Sequence, residues 1–161
     1  MLAQKRNIEV ALEDVRSAHN VGSVFRTADG VGVSHLHLIG TTSTPIDRFG
    51  RARADIAKVA LGAEGTVPWT YHEDVAAFLA AVRAAQKTLI AVEQDSRAED
   101  YRRFVLSGDA VFVFGNEVEG VSRELRNAAN HIIAIPMHGQ KESLNVSVAA
   151  GVVLFSLLHH D

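Results

Sequence analysis

Phe112-Val113-Phe114-Gly115-Asn116-Glu117-Val118-Glu119-Gly120-Val121-Ser122 is a strand of buried character that runs straight into a glycine turn bearing carboxylates. Further on the pattern repeats. Ile132-Ile133-Ala134-Ile135-Pro136-Met137 forms a second strand and stop. Gly139 follows, and then Ser143-Leu144-Asn145-Val146-Ser147-Val148-Ala149 opens an apolar helix. Two strand ends of this kind, taken as neighbours, describe a ligand site at the carboxyl edge of an α/β sheet.

The rest of the chain alternates strand and helix in the same way. Strands are expected at Ile8 to Leu12, His35 to Ile39, Thr88 to Glu93, Ala110 to Phe114 and His131 to Ile135, with a shorter one at Thr66 to Tyr71. Asn20 to Val31 carries Val21, Val24, Phe25, Ala28 and Val31 on one helical stripe. Ala52 to Leu61 is weakly helical, broken by Gly62 and Gly65, and His72 to Gln86 is an alanine-rich helix. Ser122 caps a short helix through Asn127, and Ser143 to His159 forms the last helix. Alternation of this kind predicts a mostly parallel sheet flanked by helices on both faces. From Leu144 to Leu158 the last helix is apolar almost all round, so it must be covered on more than one side. A second copy of the chain is the expected cover.

Bulk properties narrow the function classes. At 161 residues, 47% of them apolar and 22% charged, one soluble domain over residues 1–161 is the economical reading. There is no cysteine, which excludes disulfides, zinc–thiolate sites and thiol nucleophiles. No metal site is expected. Met1 to Asn7 has no apolar signal core, and Val146 to Leu158 is too short to span a bilayer. A cytoplasmic location and no membrane contact are therefore expected. The net charge of −3 weighs against a nucleic-acid partner, yet it hides two basic clusters. Arg48, Arg51, Arg53 and Lys58 form one, and Arg97, Arg102 and Arg103 the other.

Three constellations carry the candidate chemistry. In Asn20-Val21-Gly22-Ser23-Val24-Phe25-Arg26-Thr27-Ala28, Arg26 stands one helical turn after Gly22, opposite the apolar stripe. There it would pass over a bare glycine open to backbone or substrate. The plainer account makes Asn20 an N-cap and Arg26 a surface arginine. In Gly115-Asn116-Glu117 with Gly120, glycine permits positive φ and leaves backbone N–H groups open to a ligand. Alone, this could be an ordinary tight loop. In the third, Ser143 is a natural N-cap, and Asn145 puts a primary amide that needs partners into the first turn of an apolar helix. His19 and His138 flank these motifs and are expected to be solvated loop residues.

In order and spacing, the three constellations resemble motifs one, two and three of the SpoU family, the 2′-O-ribose RNA methyltransferases of the SPOUT class. Ala60-Leu61-Gly62-Ala63-Glu64 and Val67-Pro68-Trp69 also look like that family's pattern. The resemblance implies an α/β domain with a C-terminal deep trefoil knot, a homodimer, S-adenosylmethionine as cofactor and RNA as substrate. By matching position it implies Gly115, Ile135, Leu144 and Ser143, with Val92, as cofactor-binding residues. It implies Arg26, Asn20, Glu117, Ser143 and Asn145 as the catalytic set. A guanidinium stays protonated, so Arg26 is expected to clamp a phosphate and stabilise negative charge rather than act as a base. Asn20 and Asn145 are expected to hold Arg26 and substrate, Ser143 the cofactor's carboxyl end or substrate, and Glu117 to orient. With motif one beginning near Asn20, the chain looks like a catalytic domain without the family's N-terminal RNA-binding extension. A small target such as a tRNA loop is favoured over rRNA. A non-catalytic SPOUT-like module binding RNA or a nucleotide is the alternative, and a purely structural α/β oligomer a third; intact Asn20, Arg26, Ser143 and Asn145 argue against the module.

Overall fold

A computed structural model describes residues 6–158. In chain order the elements are β1 (Ile8–Glu13), α1 (Ala18–Val31), β2 (His35–Ile39), α2 (Ala54–Ala60), α3 (Ala63–Thr66), β3 (Trp69–His72) and α4 (Val75–Ala84). They continue with β4 (Thr88–Val92), β5 (Glu99–Asp100), β6 (Ala110–Gly115), α5 (Arg123–Ala128), β7 (His131–Ala134) and α6 (Val146–Leu158). The seven strands form one sheet in the order β3-β2-β1-β6-β4-β7-β5, and every pairing is parallel. The expected end of the last helix at His159 lies outside the described residues.

The winding reverses after β3. The chain lays down β4 two places beyond β1, and β6 then fills the gap. This corrects the sequence reading in one respect that shapes the site: β6 and β7 are not neighbours. β4 runs between them, pairing Ile90 with Phe112 on one side and Val92 with Ile133 on the other. Three strand ends therefore meet, with the Val92 strand between the two read as neighbours.

Alternation along each strand splits the core into two layers. Val10, Leu12, Phe112 and Phe114 point to the face covered by α1, α2 and α6, meeting Val24, Phe25, Ile56, Val153 and Leu154. Ala11, Val111 and Val113 point to the other face, under Phe78, Leu79 and Val82 of α4 and Leu125 of α5. Four fully buried phenylalanines, Phe25, Phe78, Phe112 and Phe114, anchor the two layers. Each such side chain contributes roughly 1.5–3 kcal/mol by leaving water.

The second layer admits one polar chain. The Lys87 ammonium donates to Glu9 Oε1, His37 Nε2 meets Glu9 Oε2 at 2.7 Å, and His37 Nδ1 meets His72 Nε2 at 2.8 Å. Burial pushes the Glu9 carboxyl up, but bonds and charge from His37 and Lys87 overcome that and bring its pKa down to about 2. Burial lowers the pKa of His72 and His35, and the neighbouring His37 adds to it.

Several helix starts differ from expectation. Ser17, not Asn20, caps α1: its Oγ accepts the Asn20 N–H at 3.2 Å. Both residue types cap well, and the earlier one wins, which leaves the Asn20 side chain free inside the first turn. Likewise α6 starts at Val146 rather than Ser143. Asn145 supplies the first carbonyl, to Ala149 N–H at 2.9 Å, and its Oδ1 accepts Ser147 N–H at 2.9 Å. α4 starts at Val75, where Asp74 Oδ1 accepts the Ala77 N–H at 2.8 Å.

α6 buries Val146, Ala150, Val153, Leu154 and Leu157, packing against α1 and β6. Its opposite side leaves Val148 at 50% and Val152 at 36% exposure, so the chain alone covers one face of a helix that is apolar on both. No helix among the described residues is long and apolar enough to cross a membrane.

Candidate active site

At the carboxyl ends of β4, β6 and β7 lies a cleft of about 310 Å³. Val92, Gly115 and Ala134 close those three strands and line it, with the 115–120 loop on one side and Ile135, Met137, Ser143 and Leu144 on the other. Of the residues singled out from sequence, Val92, Gly115, Glu117, Ile135, Ser143 and Leu144 all lie in this lining.

The glycine loop is built by close approach. Gly115 is the last residue of β6, in register with Glu13 of β1, and its backbone is extended rather than left-handed as the sequence suggested. A Cβ there would fall 2.1 Å from the Gly120 carbonyl carbon and 2.3 Å from Val121 N. The loop thus folds back onto the strand end where only glycine fits. Positive φ is needed at Gly120, with φ of 67°. Asn116 shapes the turn between them: its Oδ1 accepts Val118 N–H at 2.9 Å and Glu119 N–H at 2.7 Å.

Two carboxylates hold the far end of that loop. Glu93 Oε2 accepts the Val121 N–H at 2.8 Å, and Glu13 Oε1 accepts the Ser122 N–H at 2.7 Å. Glu13 is only 4% exposed. Burial pushes its carboxyl pKa up by more than the Ser122 bonds bring it down, and the charges of Asp14 and Glu124 add to the rise. Neither residue was singled out from sequence. Each does its work on a backbone N–H far along the chain, which no local pattern announces. On the opposite wall Gln94 Nε2 donates to the Ile135 carbonyl at 2.8 Å, fixing the end of β7 to the β4 exit. Gln94 and the lining carboxylate Glu142 were likewise not anticipated.

A chain of amides crosses the rim. Asn145 Oδ1 accepts both the Ser147 N–H and, at 2.6 Å, the Ser147 hydroxyl, so its Nδ2 turns the other way. That Nδ2 donates to Asn20 Oδ1 at 3.2 Å, and Asn20 Nδ2 donates to the Glu117 carboxylate. Each amide orientation is set by the next, ending on an acceptor-only group. α1, the 115–120 loop and the start of α6 are tied together this way. Asn20 and Asn145 were expected to hold Arg26; here they hold each other and Glu117.

Arg26 stands apart. It is exposed on α1, lies outside the cleft lining, and its side chain has no hydrogen bond or ion pair among the described residues. Nor does it pass over open space at Gly22. Gly22 is buried against α2, where a Cβ would come within 2.9 Å of Ile56 O and of Val59 Cβ. That glycine serves helix contact. His19 and His138 are exposed as expected, though His19 sits within α1 rather than in a loop.

The electrostatics of the cleft select its ligand. Glu93, Glu117, Glu119 and Glu142 line it, and no lysine or arginine does. Such a lining favours a cationic ligand and repels phosphate-bearing cofactors. Apolar surface from Val92, Ile135, Met137 and Leu144 suits a flat ring system. Among the described residues no group of side chains could hold a metal ion.

Comparison with known proteins supplies the frame for this geometry. Residues 7–155 match the model of the SpoU rRNA Methylase family. The chain is 34% identical over 143 residues to a 23S rRNA (guanosine-2′-O-)-methyltransferase of Neisseria meningitidis, covering 89% of this chain and 54% of that one. It is 31% identical over 156 residues to the tRNA (guanosine(18)-2′-O)-methyltransferase of Escherichia coli, covering 96% and 65%. It therefore spans between half and two thirds of the length of these curated relatives. The AdoMet-bound rRNA methyltransferase from Sinorhizobium meliloti superposes with a TM-score of 0.86 at 30% identity, over 95% of this chain and 56% of that one. A structure described as concerning 2-OH methylation of C/U34 on tRNA superposes with a TM-score of 0.75 at 26% identity, over 93% of both chains. With that family model matched from residue 7 to residue 155, the chain belongs to the SpoU rRNA methylase family.

Proposed function

We propose that this chain transfers a methyl group from S-adenosylmethionine to a ribose 2′-hydroxyl of RNA. The observation that carries the reading is the cleft: four carboxylates, no basic side chain and an apolar wall, where a ligand of net positive charge fits. Gly115, Ile135, Leu144, Ser143 and Val92 are the residues that would hold it, largely through backbone groups and apolar contact. The cofactor supplies an electrophilic methyl on a sulfonium. The protein's part is to present the hydroxyl, disperse the charge that builds on its oxygen, and keep the loop in place. Glu117, oriented by Asn20 and through it by Asn145, lines the cleft and would orient the incoming sugar. In this reading the cofactor segments lie within the trefoil knot that the family resemblance implies.

Arg26 carries the positive charge the reaction needs, and its own cleft does not contain it. The reading therefore requires a homodimer in which Arg26 of one copy faces the cleft of the other. There it clamps a phosphate and stabilises the developing oxyanion. The uncovered side of α6, with Val148 and Val152, supports such a pairing. A module that binds without transferring is the second reading, favoured by the position of Arg26 outside its own cleft.

Of the two RNA classes we place tRNA ahead of rRNA, because a chain of net charge −3 suits a small, locally presented target such as a tRNA loop. Cytoplasm is the compartment this role implies. The test is a thermal shift with S-adenosylhomocysteine, followed by methyl transfer to tRNA and to rRNA side by side. Ligand stabilisation with faster transfer to tRNA is expected. No stabilisation removes the cofactor site; stabilisation without transfer to either RNA leaves the binding module.

A further inference from the structure

We propose that the loop between β2 and α2 is a second RNA contact, in which Phe49 stacks on an unpaired base and Arg48 binds the adjoining phosphate. The inference rests on the RNA reading above. Phe49 is 66% exposed, while Phe25, Phe78, Phe112 and Phe114 are fully buried. The guanidinium carbons of Arg48 and Arg51 stand 4.8 and 5.0 Å from its ring centroid.

The loop is built to hold this display. Asp47 Oδ1 accepts the N–H groups of Phe49, at 2.8 Å, and Arg51, at 3.0 Å. Asp47 N–H in turn donates to the Arg51 carbonyl at 2.8 Å, and Gly50 turns the chain with φ of 77°. Ile46 and Ala52 form an antiparallel bridge that closes the base. Phe49 is thus pinned at the tip by its backbone, with its ring left 66% exposed.

The two arginines are not equivalent. Arg51 Nε is bound by Asp47 Oδ2 at 3.1 Å, and the nearby Arg53 is bound by Asp55. Arg48 has no carboxylate partner among the described residues. It can leave the ring for a phosphate at little cost, opening an aromatic face to a base. Between residues 47 and 58 four cations stand against two carboxylates, in a chain whose net charge is −3. In the other basic cluster two of the three arginines are spent internally, Arg97 on Asp95 and Arg102 on Asp100. Aromatic surface joined to unpaired arginine is the arrangement that takes single-stranded nucleic acid irrespective of sequence.

The position suits a substrate threaded past the cleft. The loop leaves the carboxyl end of β2, the same sheet edge as the cleft, and β2 lies two places from β6. With strands about 4.8 Å apart, its root is on the order of 10 Å from the Gly115 strand end. Ser43 N–H to the Val15 carbonyl, at 3.1 Å, fixes that root to the β1–α1 connection that leads into Asn20.

The experiment titrates the full chain with a short fluorescein-labelled oligouridylate and with an RNA duplex, alongside the S-adenosylhomocysteine thermal shift. Phe49→Ala is expected to weaken oligouridylate binding by about tenfold, and Phe49→Trp to keep it with indole emission quenched on binding. Arg48→Ala is expected to flatten the salt dependence by about 0.7 in slope, one phosphate's worth on a single strand. All three variants keep the cofactor-product shift of the wild type. Unchanged binding by Phe49→Ala overturns the proposal, as does preference for the duplex or a change in oligomeric mass on losing Phe49. Loss of the thermal shift in the wild type would instead strike the cofactor reading, leaving the loop's RNA binding to be judged separately.

Discussion

Gly22→Ala separates two accounts of the first motif, and Gly30→Ala provides its control within the same helix. In solvent-exposed helix, alanine for glycine gains about 1 kcal/mol. At Gly30 the added Cβ meets only Phe155 Cζ at 3.6 Å, an ordinary contact, so most of that gain should appear. At Gly22 it meets Ile56 O and Val59 Cβ at 2.9 Å and Ala60 N at 3.3 Å. Two of these are backbone atoms and cannot rotate aside. Ordinary contacts lie at about 3.5–4.0 Å. α2 must therefore retreat by several tenths of an ångström along its seam with α1, and overpacking of this kind costs about 1–3 kcal/mol. Set against the propensity gain, Gly22→Ala should lose about 1 kcal/mol, which lowers Tm by about 2–4 °C in a domain of this size. Urea titration of both variants measures the difference, and S-adenosylhomocysteine binding should survive in each. If Gly22→Ala proves as stable as Gly30→Ala, the helix-contact account is wrong. If it keeps its stability but loses ligand binding, Gly22 serves the ligand after all.

Further tests address the loop, the buried charges and Arg26. Gly115→Ala puts a Cβ 2.1 Å from the Gly120 carbonyl carbon and should abolish the S-adenosylhomocysteine shift by displacing the loop; a wild-type shift would show that the loop can give way. Glu13→Ala strands the half-buried Ser122 N–H and should cost about 1 kcal/mol, whereas Glu13→Gln keeps an acceptor there. Because the folded pKa of Glu13 is raised, the native state holds its proton more tightly and loses stability as pH rises through that value. Glu13→Gln should therefore match or exceed the wild type at pH near 7, and a marked loss would contradict the burial argument. Glu9 and the histidines act in the opposite sense. With Glu9 brought down to about 2 and His72 and His35 lowered, the unfolded chain binds more protons in acid. Stability should fall first as pH drops below the ordinary histidine range and again from the ordinary glutamate range toward 2. Urea midpoints that stay flat across both windows would refute the buried chain of charges. Arg26→Ala should abolish transfer while preserving the ligand shift, and mixing it with Gly115→Ala should restore part of the activity. No recovery on mixing would argue against a site shared between copies.

The layered fold could be read from sequence because its strands are short apolar runs such as Val111–Phe114 and Leu89–Val92, bounded by polar turns. What escaped was order in space. β4 between β6 and β7 follows from a reversal of winding that leaves no local mark, and it is why Val92 sits centrally in the cleft lining. β5 is two residues long, too short for periodicity to register. The start of α1 was misplaced because Ser17 and Asn20 are both competent caps; the outcome frees Asn20 for Glu117. Candidate site residues from Val92 to Leu144 were legible through their strand ends and the family pattern. Glu13, Glu93 and the Glu9–His37–His72 chain depend on register between distant strands, and single residues cannot announce that. For Arg26 the motif supplied a position, and the fold leaves that side chain exposed and outside the cleft lining.

Nucleoside analysis of tRNA and rRNA incubated with the protein and isotopically labelled S-adenosylmethionine tests the methylation account most directly. Label on a ribose, recovered as a 2′-O-methylnucleoside and absent with Arg26→Ala, is the predicted result. Label on a base, or cofactor binding with no label in either RNA, would contradict it.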